Sequence, residues 1–531
     1  MSMNAPSSDE KASTYDDLPY ESRFVAATHP DRLATMAMLH GLTPPPPDRC
    51  RVLELGCSDG GNLLTIAQSL PGATLVGLEL STRQVAAGRA LIDRLGVTNV
   101  ALHERSLMEV DDALGQFDYI ICHGVYSWVS AAVRARILDI CARNLAPDGV
   151  AYVSYNTYPG WHLRGMVRGM LRFHAAGLPA DTDPAQRVSE VRRLLDFMAA
   201  SATPADSVYA QALKHEAGLI GRSHDTYVFH EHLEADNHPV YYHEFAADAR
   251  AAGLLPFAPA RFDIIEAGLP PEVRQAVSGL ADDPVRREQY LDFVVNRTFR
   301  QTLLVRAESR PSLEPQSSAV AALRLTALAR PETPGLDVRS EAPAGFVSLF
   351  GDRLTVGQPL LKAAVFALFE RWPRSAGFDE LVDETRARLG WQTAATDDDR
   401  RAFATFLLQG HMTNLVNLHS LDPPIASSPP ARPLAPPLAR HAAAAGERVV
   451  NLRSCASRLD DLDRLLVPLL DGTRDLPALV EALARKVADG TLPVHHEGQP
   501  VRDLARAREL LAEPVERSLW KIAGEALLLA V

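Results

Sequence analysis

The sequence contains little that is typical of secreted or membrane proteins. Its 531 residues include 5 cysteines, an odd number without a C-x-x-C pair, so neither a disulfide framework nor a zinc site is indicated. No apolar run approaches the roughly 18 residues needed to span a bilayer. The first residues, MSMNAPSSDEKAS, lack the apolar core of a signal peptide. We therefore expect a cytoplasmic protein with no membrane insertion.

Basic residues are in the minority. The 54 lysines and arginines are outnumbered by 66 aspartates and glutamates, which gives a formal net charge of −12. Nucleic-acid binding normally requires a basic face, so we expect no nucleic-acid partner. The spacing of several histidines fits no metal-binding template, so we expect no metal. These histidines are His224, His230, His232, His238 and His243.

Two short apolar segments that end on carboxylates carry most of the functional information. Residues 52–61 read VLELGCSDGG and include Glu54, and residues 75–81 read LVGLELS and include Glu79. A loop of small residues lets backbone N–H groups approach a ligand closely, and an acid at the next strand end can accept hydrogen bonds from ribose hydroxyls. The pair therefore predicts a site for a nucleoside-containing cofactor.

The loop sequence favours a cationic cofactor over a dinucleotide. A dinucleotide site has the pattern G-x-G-x-x-G, and here Ser58 stands in place of the second glycine. Glu54 would repel a pyrophosphate but suits a cation. The pattern E-x-G-x-x-x-G followed by Glu79 is similar to motif I and the next acidic motif of class I S-adenosylmethionine-dependent methyltransferases. A dinucleotide enzyme and an ordinary strand-to-helix turn, with Glu54 as a cap, are the alternatives.

Strands and helices alternate through the first part of the chain. Ser81 can cap a helix that ends at Gly96, and a further helix is expected over 131–145. More strands are expected at 99–103, 117–123 and 150–155. This order predicts an α/β fold with a doubly wound, Rossmann-like sheet and a ligand at the carboxyl ends of its strands.

The rest of the chain divides into further predicted units. A helix from Asp31 to His40 should precede the first strand, where it could close over the cofactor or cover a sheet edge. Residues 285–306 predict one amphipathic helix that carries several arginines, with a core-packing helix that has a solvated basic face as the favoured alternative. The predicted units are a disordered N-terminus (1–19), a cofactor-binding catalytic domain (20–265) with a helical insert (about 160–235), a regulatory-type region (215–305), a winged-helix-like middle domain (340–422), a Pro-rich linker (423–440) and a mostly helical C-terminal domain (441–531).

Four longer segments support a narrower resemblance. They read YDDLPYESRFVAATHP at 15–30, CHGVYSWV at 122–129, VAYVSYNTYPGWH at 150–162 and EQYLDFVVNRTFRQTLL at 288–304. Together they resemble bacterial methyltransferases that carry a methyltransferase regulatory domain, a family that includes rickettsial protein lysine methyltransferases acting on outer-membrane proteins. The resemblance implies S-adenosyl-L-methionine as cofactor and a protein substrate. Because some members are dimeric, it also allows a homodimer.

The resemblance also implies a set of cofactor-binding residues. Motif I would line the methionine and ribose portions, Glu79 would accept from the ribose hydroxyls, and Ser106-Leu107 would replace the acid that usually meets the adenine amine. His123 and Tyr126 would border the sulfonium, where an aromatic face gives cation–π stabilisation, although plain packing is the alternative for Tyr126 and Trp128. The motif I positions are Glu54, Gly56, Ser58 and Gly60.

The segment after the fifth strand supplies the candidate catalytic residues. Tyr155, Tyr158 and His162 could bind or deprotonate a lysine amine, and Asn156 could orient it. The alternative is a rigid corner set by Pro159-Gly160.

Two absent motifs narrow the possible acceptors. The N/D-P-P-Y/F motif of many amine methyltransferases is missing after the fourth strand, and Cys122 follows Ile121 instead of a proline, so DNA modification is disfavoured. The favoured hypothesis is a protein (lysine) N-methyltransferase. A small-molecule methyltransferase with regulatory or dimerisation domains, and a non-catalytic cofactor-binding regulator, are the alternatives.

Overall fold

A central sheet organises the catalytic part of the chain. The computed structural model describes residues 23–262, 268–327, 329–348 and 353–530, so the N-terminal segment 1–19, expected to be disordered, lies outside the described residues. The strands of the sheet are β1 (Arg51–Leu55), β2 (Thr74–Glu79), β3 (Val100–Glu104), β4 (Phe117–Cys122), β5 (Leu145–Asn156), β6 (Leu254–Pro259) and β7 (Phe299–Arg306). Across the described residues these seven strands have the order β3-β2-β1-β4-β5-β7-β6.

The first five strands are parallel, and α-helices connect β1 to β2, β2 to β3 and β4 to β5, whereas only short 3-10 turns lie between β3 and β4. Ser81 Oγ accepts a hydrogen bond from the backbone N–H of Gln84 at 3.2 Å, and the helix that it caps ends at Gly96, whose φ is +65°. Both helix boundaries predicted from sequence are thus confirmed. The helices of this part are α1 (Pro30–Leu39), α2 (Gly61–Ser69), α3 (Thr82–Leu95) and α4 (Ala131–Asn144).

Strand β5 begins earlier than the sequence predicts. Its pairing with β4 passes directly from Phe117↔Leu145 to Tyr119↔Val150, so Pro147-Asp148-Gly149, just before the predicted start at residue 150, lies outside the regular ladder. Strand β5 therefore continues through this break in the pairing instead of beginning after it.

The helical insert and the segment after it follow β5. The insert consists of α5 (Gly160–Ala175), α6 (Pro184–Ser201), α7 (Val208–Ile220) and α8 (Asp225–Leu233), and then come α9 (Tyr242–Ala251), α10 (Pro271–Leu280) and α11 (Pro284–Val295). The insert has its own apolar core, which includes Val167, Leu195 and Leu213.

The single helix predicted over 285–306 is wrong. The helix α11 ends at Asn296, whose φ of +50° is left-handed, and β7 follows in antiparallel pairing between β5 and β6. Leu304 packs in the core on one face of the sheet, and Leu303 and Val305 pack in the core on the other. A strand that is buried on both faces reads as a continuous apolar run, which periodicity alone cannot distinguish from a helix.

The middle region combines short strands with three helices among its described residues. Its elements are β8 (Arg324–Thr326), β9 (Arg330–Pro331), β10 (Ala344–Val347), β11 (Arg353–Val356), α12 (Pro359–Arg371), β12 (Ala376–Gly377), α13 (Phe378–Leu389), α14 (Asp397–Met412) and β13 (Asn417–His419). Its core, with Leu325 and Leu368, is continuous with the core under the catalytic sheet at Leu75 and Tyr152. The middle region is therefore packed onto the catalytic domain.

Helix α1 lies in this shared core. Leu33, Met36 and Leu39 are fully buried, and the helix contacts both β5 and β13. Because β5 lies inside the sheet, the helix packs on the sheet and does not cover an edge of it, as one of the two predicted roles required.

The C-terminal region is mostly helical and contains a short hairpin. It comprises α15 (Pro437–Ala445), α16 (Asp461–Leu466), α17 (Leu476–Ala488), β14 (His495–His496), β15 (Gln499–Pro500) and α18 (Leu504–Gly524). The Pro-rich segment before it is extended and anchored, because the N–H of Ala426 donates to Leu528 O at 2.9 Å and that of Ala435 to Leu470 O at 2.8 Å. Within the described residues, no helix is both long and apolar enough to cross a bilayer.

The corner between β5 and α5 is held by the segment that joins α11 to β7. The N–H of Thr157 donates to Thr298 O and that of Gly160 donates to Arg297 O, both at 2.9 Å. A Cβ at Gly160 would overlap Thr298 Cγ2 and lie 2.6 Å from Arg297 O. The buried Asp292 fixes this segment by accepting from Arg297 Nε at 2.6 Å.

We predict that Gly160→Ala lowers the free energy of unfolding by about 1–3 kcal/mol, because the added methyl group is forced against backbone atoms. The control is Gly169→Ala on the same helix, where a Cβ meets nothing within 4 Å. That variant should be more stable than the wild type by about 0.5–1 kcal/mol. Chemical denaturation measures both, and equal stability of the two variants would contradict the close packing of this corner.

Candidate active site

The loop after β1 makes a narrow turn into α2. Gly56, Ser58 and Gly60 have φ values of +72°, +54° and +79°, which lie in the left-handed region. A Cβ at Gly56 would lie 2.5 Å from Val125 Cγ2, and one at Gly60 would lie 2.9 Å from Leu102 Cδ1. Both positions therefore favour glycine for their left-handed conformation, and a Cβ there would also require Val125 or Leu102 to move.

Glu79 joins the end of β2 to this loop. Its Oε2 accepts from the N–H of Ser58 at 3.0 Å, and its Oε1 accepts from the N–H groups of Leu80 and Ser81 at 2.8 and 3.0 Å. A carboxylate has about four lone-pair sites, so acceptor capacity remains for a ligand hydroxyl. The carboxylate thus shapes the loop and still presents an acceptor at the strand tip.

Glu54 lies at the tip of β1 with an incomplete set of partners. The side chain is 5% exposed, and its Oε1 accepts from Asn62 Nδ2 at 2.9 Å. Oε2 is buried and has no hydrogen-bond partner among the described residues. Burial, helped by the nearby carboxylates of Asp59 and Glu79 and opposed by the hydrogen bond from Asn62, raises the pKa of Glu54 to about 8. A buried acceptor without a partner is unfavourable until a ligand or water satisfies it, and a cationic donor suits it best.

The ends of β3 and β4 lie beside these two acids. The N–H of Arg105 donates to Glu79 O at 2.9 Å, which places the next residues, Ser106 and Leu107, at the same edge. Ser106 Oγ accepts from the N–H of Met108 at 3.3 Å. His123, after β4, has its Nδ1 2.8 Å from Tyr152 OH, and burial lowers the pKa of its imidazole to about 4. The imidazole is therefore neutral at physiological pH.

Two predicted site residues lie in the core instead. Tyr126 and Tyr155 are each 1% exposed, and both pack against Phe245, with ring centroids 5.3 and 4.2 Å from it. Tyr155 OH is also 3.0 Å from Thr302 Oγ1. We therefore correct both assignments. Tyr155 lies on the face of β5 that points into the core, and Tyr126, in the turn after β4, packs into the same core cluster.

The other candidates after β5 form an aromatic group at the surface. Tyr158 stacks on His162 with ring centroids 4.2 Å apart, and Tyr241 lies 5.1 Å from Tyr158. His162 Nε2 is 3.0 Å from Tyr241 OH. Asn156 donates through Nδ2 to Asn237 Oδ1 at 3.1 Å, so this amide contacts the same loop. We call Tyr158, His162 and Tyr241 the aromatic group.

Sequence reasoning missed three residues of the site. Asn62 orients Glu54, and Tyr241 completes the aromatic group. Gly88 lets α3 approach the loop, because a Cβ there would overlap Asp59 O. The sequence signal for Asn62 is its place as the second residue of the helix after motif I, whereas Tyr241 is remote in sequence and has no comparable signal.

The sheet order and the residues at its strand tips define a class I, Rossmann-like methyltransferase. Three family models match the chain: a "Methyltransferase domain" at residues 52–149, a "Predicted methyltransferase regulatory domain" at residues 224–306, and a "PKMT, C-terminal winged helix domain" at residues 431–527. The second of these contains β6 and β7 of the catalytic sheet. The third covers the C-terminal region, whereas the sequence predicts a winged-helix-like fold for the middle domain, residues 340–422.

Comparison with known proteins covers nearly the whole chain. An uncharacterized protein of Rickettsia prowazekii is 31% identical over 523 residues, which is 97% of this chain and 93% of that protein. A second uncharacterized protein of that organism is 38% identical over 237 residues, or 45% of this chain and 94% of the relative. The solved structure of PKMT2 from Rickettsia typhi in complex with AdoHcy is 27% identical, with a TM-score of 0.81 over 96% of this chain and 100% of that one.

The chain belongs to the family of S-adenosylmethionine-dependent methyltransferases that carry a methyltransferase regulatory domain. It is therefore an enzyme with S-adenosylmethionine as its cofactor, as the sequence predicted.

We predict that Glu79→Ala weakens cofactor binding by about 1–3 kcal/mol, the cost of leaving bound ribose hydroxyls without their acceptor. The variant should also be less stable, since three backbone N–H groups lose their acceptor. Glu104→Ala is the matched control, because Glu104 is the register partner of Glu79 on β3 and accepts from the exposed Thr82 hydroxyl. Calorimetry that finds equal affinities for the two variants would contradict the prediction.

Proposed function

We propose that this enzyme is a protein-lysine N-methyltransferase. The observation that carries the proposal is the likeness to PKMT2, a rickettsial protein lysine methyltransferase, over 96% of the chain. The likeness includes the regions outside the methyltransferase domain, and the C-terminal region matches a model named for the same group. A shared catalytic domain alone would say little about the acceptor, because one fold serves many acceptors.

The residues at the strand tips fit the cofactor. Glu54 Oε2 is a buried acceptor without a protein partner among the described residues, which suits the cationic amino group of the methionine portion. Gly56, Ser58 and Gly60 form the narrow loop beside that portion, and Glu79 accepts from ribose hydroxyls. The half-buried Ser106 and Leu107 are the proposed neighbours of the adenine. When bound, S-adenosylmethionine supplies a methyl group already activated on a sulfonium.

The aromatic group is the proposed binding surface for the acceptor. A lysine side chain carries a cation, which aromatic faces attract, and Tyr158, His162 and Tyr241 lie together where β5 ends. Phe299 pairs with Asn156 in the sheet, and its ring lies 6.1 Å from that of His123, so it links this surface to the cofactor side. The amine must lose its proton before transfer, which partial desolvation favours. His162 is exposed and is the candidate proton acceptor.

Other parts of the proposal rest on the resemblance. We propose a protein substrate, a cytoplasmic location and no nucleic-acid partner. A homodimer is supported by exposed apolar side chains on the insert, where Phe173 is 85% and Phe197 63% exposed. Sedimentation velocity of the purified chain would test the oligomeric state.

Cofactor affinity should depend on pH through Glu54. The raised pKa, about 8, keeps the free carboxyl mostly neutral at pH 7, whereas a cationic amino group binds the ionised form. Binding should therefore release close to one proton, and affinity should fall by up to about tenfold per pH unit below pH 8. Calorimetry of S-adenosylhomocysteine in buffers of different ionisation enthalpy measures the release. Glu54→Gln should abolish it, and a wild type that releases no proton would refute this role.

The acceptor can be identified by the fate of the methyl group. Purified enzyme is incubated with methyl-labelled S-adenosylmethionine and a protein extract, and the precipitated protein is hydrolysed to amino acids. We expect label in methylated lysine. Tyr158→Ala should lower kcat/KM for the protein acceptor by roughly 2- to 30-fold through lost cation–π attraction, with cofactor affinity unchanged. Tyr209→Ala, at an exposed tyrosine of α7, is the matched control.

Label found only in small molecules would contradict the lysine proposal and support the small-molecule alternative. If the protein retains the cofactor but transfers its methyl group to neither fraction, the result would support a non-catalytic cofactor-binding regulator.

A further inference from the structure

The helix that follows motif I is held at both ends by the segment just before α1. At its start, Asn62 Oδ1 accepts from the N–H of Val25 at 3.1 Å. At its end, Ser69 Oγ lies 2.8 Å from His29 Nε2. We call residues 25–31 the N-terminal clasp, since they contact both ends of α2.

The clasp determines the direction of the Asn62 amide. Asn62 is 3% exposed, and its Nδ2 donates to Thr28 Oγ1 at 3.0 Å and to Glu54 Oε1 at 2.9 Å. Thr28 Oγ1 is free to accept because its own proton goes to Val25 O at 2.8 Å. With both N–H bonds and the oxygen engaged, the amide has one orientation. That orientation occupies Oε1 of Glu54 and leaves Oε2 for a ligand.

The other end of the clasp has an equally definite hydrogen-bond pattern. Ser69 Oγ donates to Ile66 O at 3.0 Å, so it accepts from His29 Nε2–H. His29 Nδ1 is then an acceptor, and the N–H of Asp31 donates to it at 3.1 Å. Burial lowers the pKa of His29 to about 4, in agreement with a neutral ring.

Asp31 attaches the clasp to the middle domain. Its Oδ1 accepts from Ser420 N at 2.7 Å, from Ser420 Oγ at 2.8 Å and from Leu421 N at 3.0 Å, and its Oδ2 lies 2.9 Å from His419 Nδ1. His419 is the last residue of β13, and Ser420 and Leu421 follow it. One carboxylate therefore joins the first turn of α1 to the last strand of the middle domain.

We propose that Asn62 is a positioning residue for Glu54, and that the middle domain sets cofactor affinity by holding the N-terminal clasp through Asp31. The middle domain thereby acts on the cofactor site without contacting the ligand. The inference rests on the proposed role of Glu54 in binding the cofactor.

The test measures binding of S-adenosylhomocysteine by calorimetry between pH 6 and 8.5, together with thermal unfolding of the ligand-free full-length chain. Asn62→Asp replaces an N–H donor by a second carboxylate beside Glu54, where Asp59 and Glu79 already oppose ionisation. We expect affinity at pH 7 to fall roughly tenfold and the pH midpoint to move upward by about one unit. Asp31→Ala should weaken binding roughly threefold to tenfold and move the midpoint in the same direction.

The matched control is Gln68→Ala. Gln68 lies on α2 and accepts from the N–H of Ala439 in the C-terminal domain at 3.1 Å, but it has no contact with the clasp among the described hydrogen bonds. The Gln68→Ala variant should bind S-adenosylhomocysteine with wild-type affinity. The coupling would be overturned if the Asp31→Ala variant bound S-adenosylhomocysteine within about twofold of the wild-type affinity. It would also be overturned if the Gln68→Ala variant bound as weakly as Asp31→Ala.

Two further variants keep the test decisive. If Asp31→Ala does not fold, Ser420→Ala removes only the hydroxyl bond to Asp31 and is measured in the same way. Glu54→Gln separates the two levels of the proposal. If Glu54→Gln changes affinity and Asn62→Asp does not, the positioning role is refuted, whereas if Glu54→Gln changes nothing, the assignment of Glu54 itself fails.

Discussion

The site depends on one buried carboxylate, that of Glu54. One of its oxygens has no protein hydrogen-bond partner among the described residues. Glu54 is held at the tip of β1 by Asn62, and its second oxygen has no hydrogen-bond partner there. Such an arrangement costs stability in the ligand-free protein and makes binding of a cationic donor more favourable. The orientation of Asn62, whose Nδ2 donates to Oε1, leaves this oxygen without a protein donor among the described residues.

The accessory regions contribute directly to the catalytic sheet and its strand tips. The segment matched by the regulatory-domain model supplies β6 and β7, and its backbone holds the corner at Thr157 and Gly160. The middle domain shares a core with the sheet and binds Asp31. These regions and the catalytic domain therefore form a continuous packed structure, in which mutations far from the strand tips can alter the site.

The sequence was sufficient where local chemistry determines structure. The caps at Ser81 and Gly96 and the alternation of strands and helices are local signals, and they predicted the parallel part of the sheet correctly. The failures have physical reasons. β7 is buried on both faces and lacks alternation, so it was assigned to a helix. Tyr126 and Tyr155 were placed in the site because strand-end position does not reveal which face a side chain occupies. The role of Asn62 depends on partners at positions 25 and 28, which sequence reasoning did not connect to it.

The most direct test of the central claim is a crystal structure of the full-length enzyme with S-adenosylhomocysteine bound. We expect the amino nitrogen of the ligand to lie about 3 Å from Glu54 Oε2, with Asn62 Nδ2 still bound to Oε1. A ligand whose amino group contacts other residues, with Glu54 Oε2 still unpaired or facing only water, would contradict it.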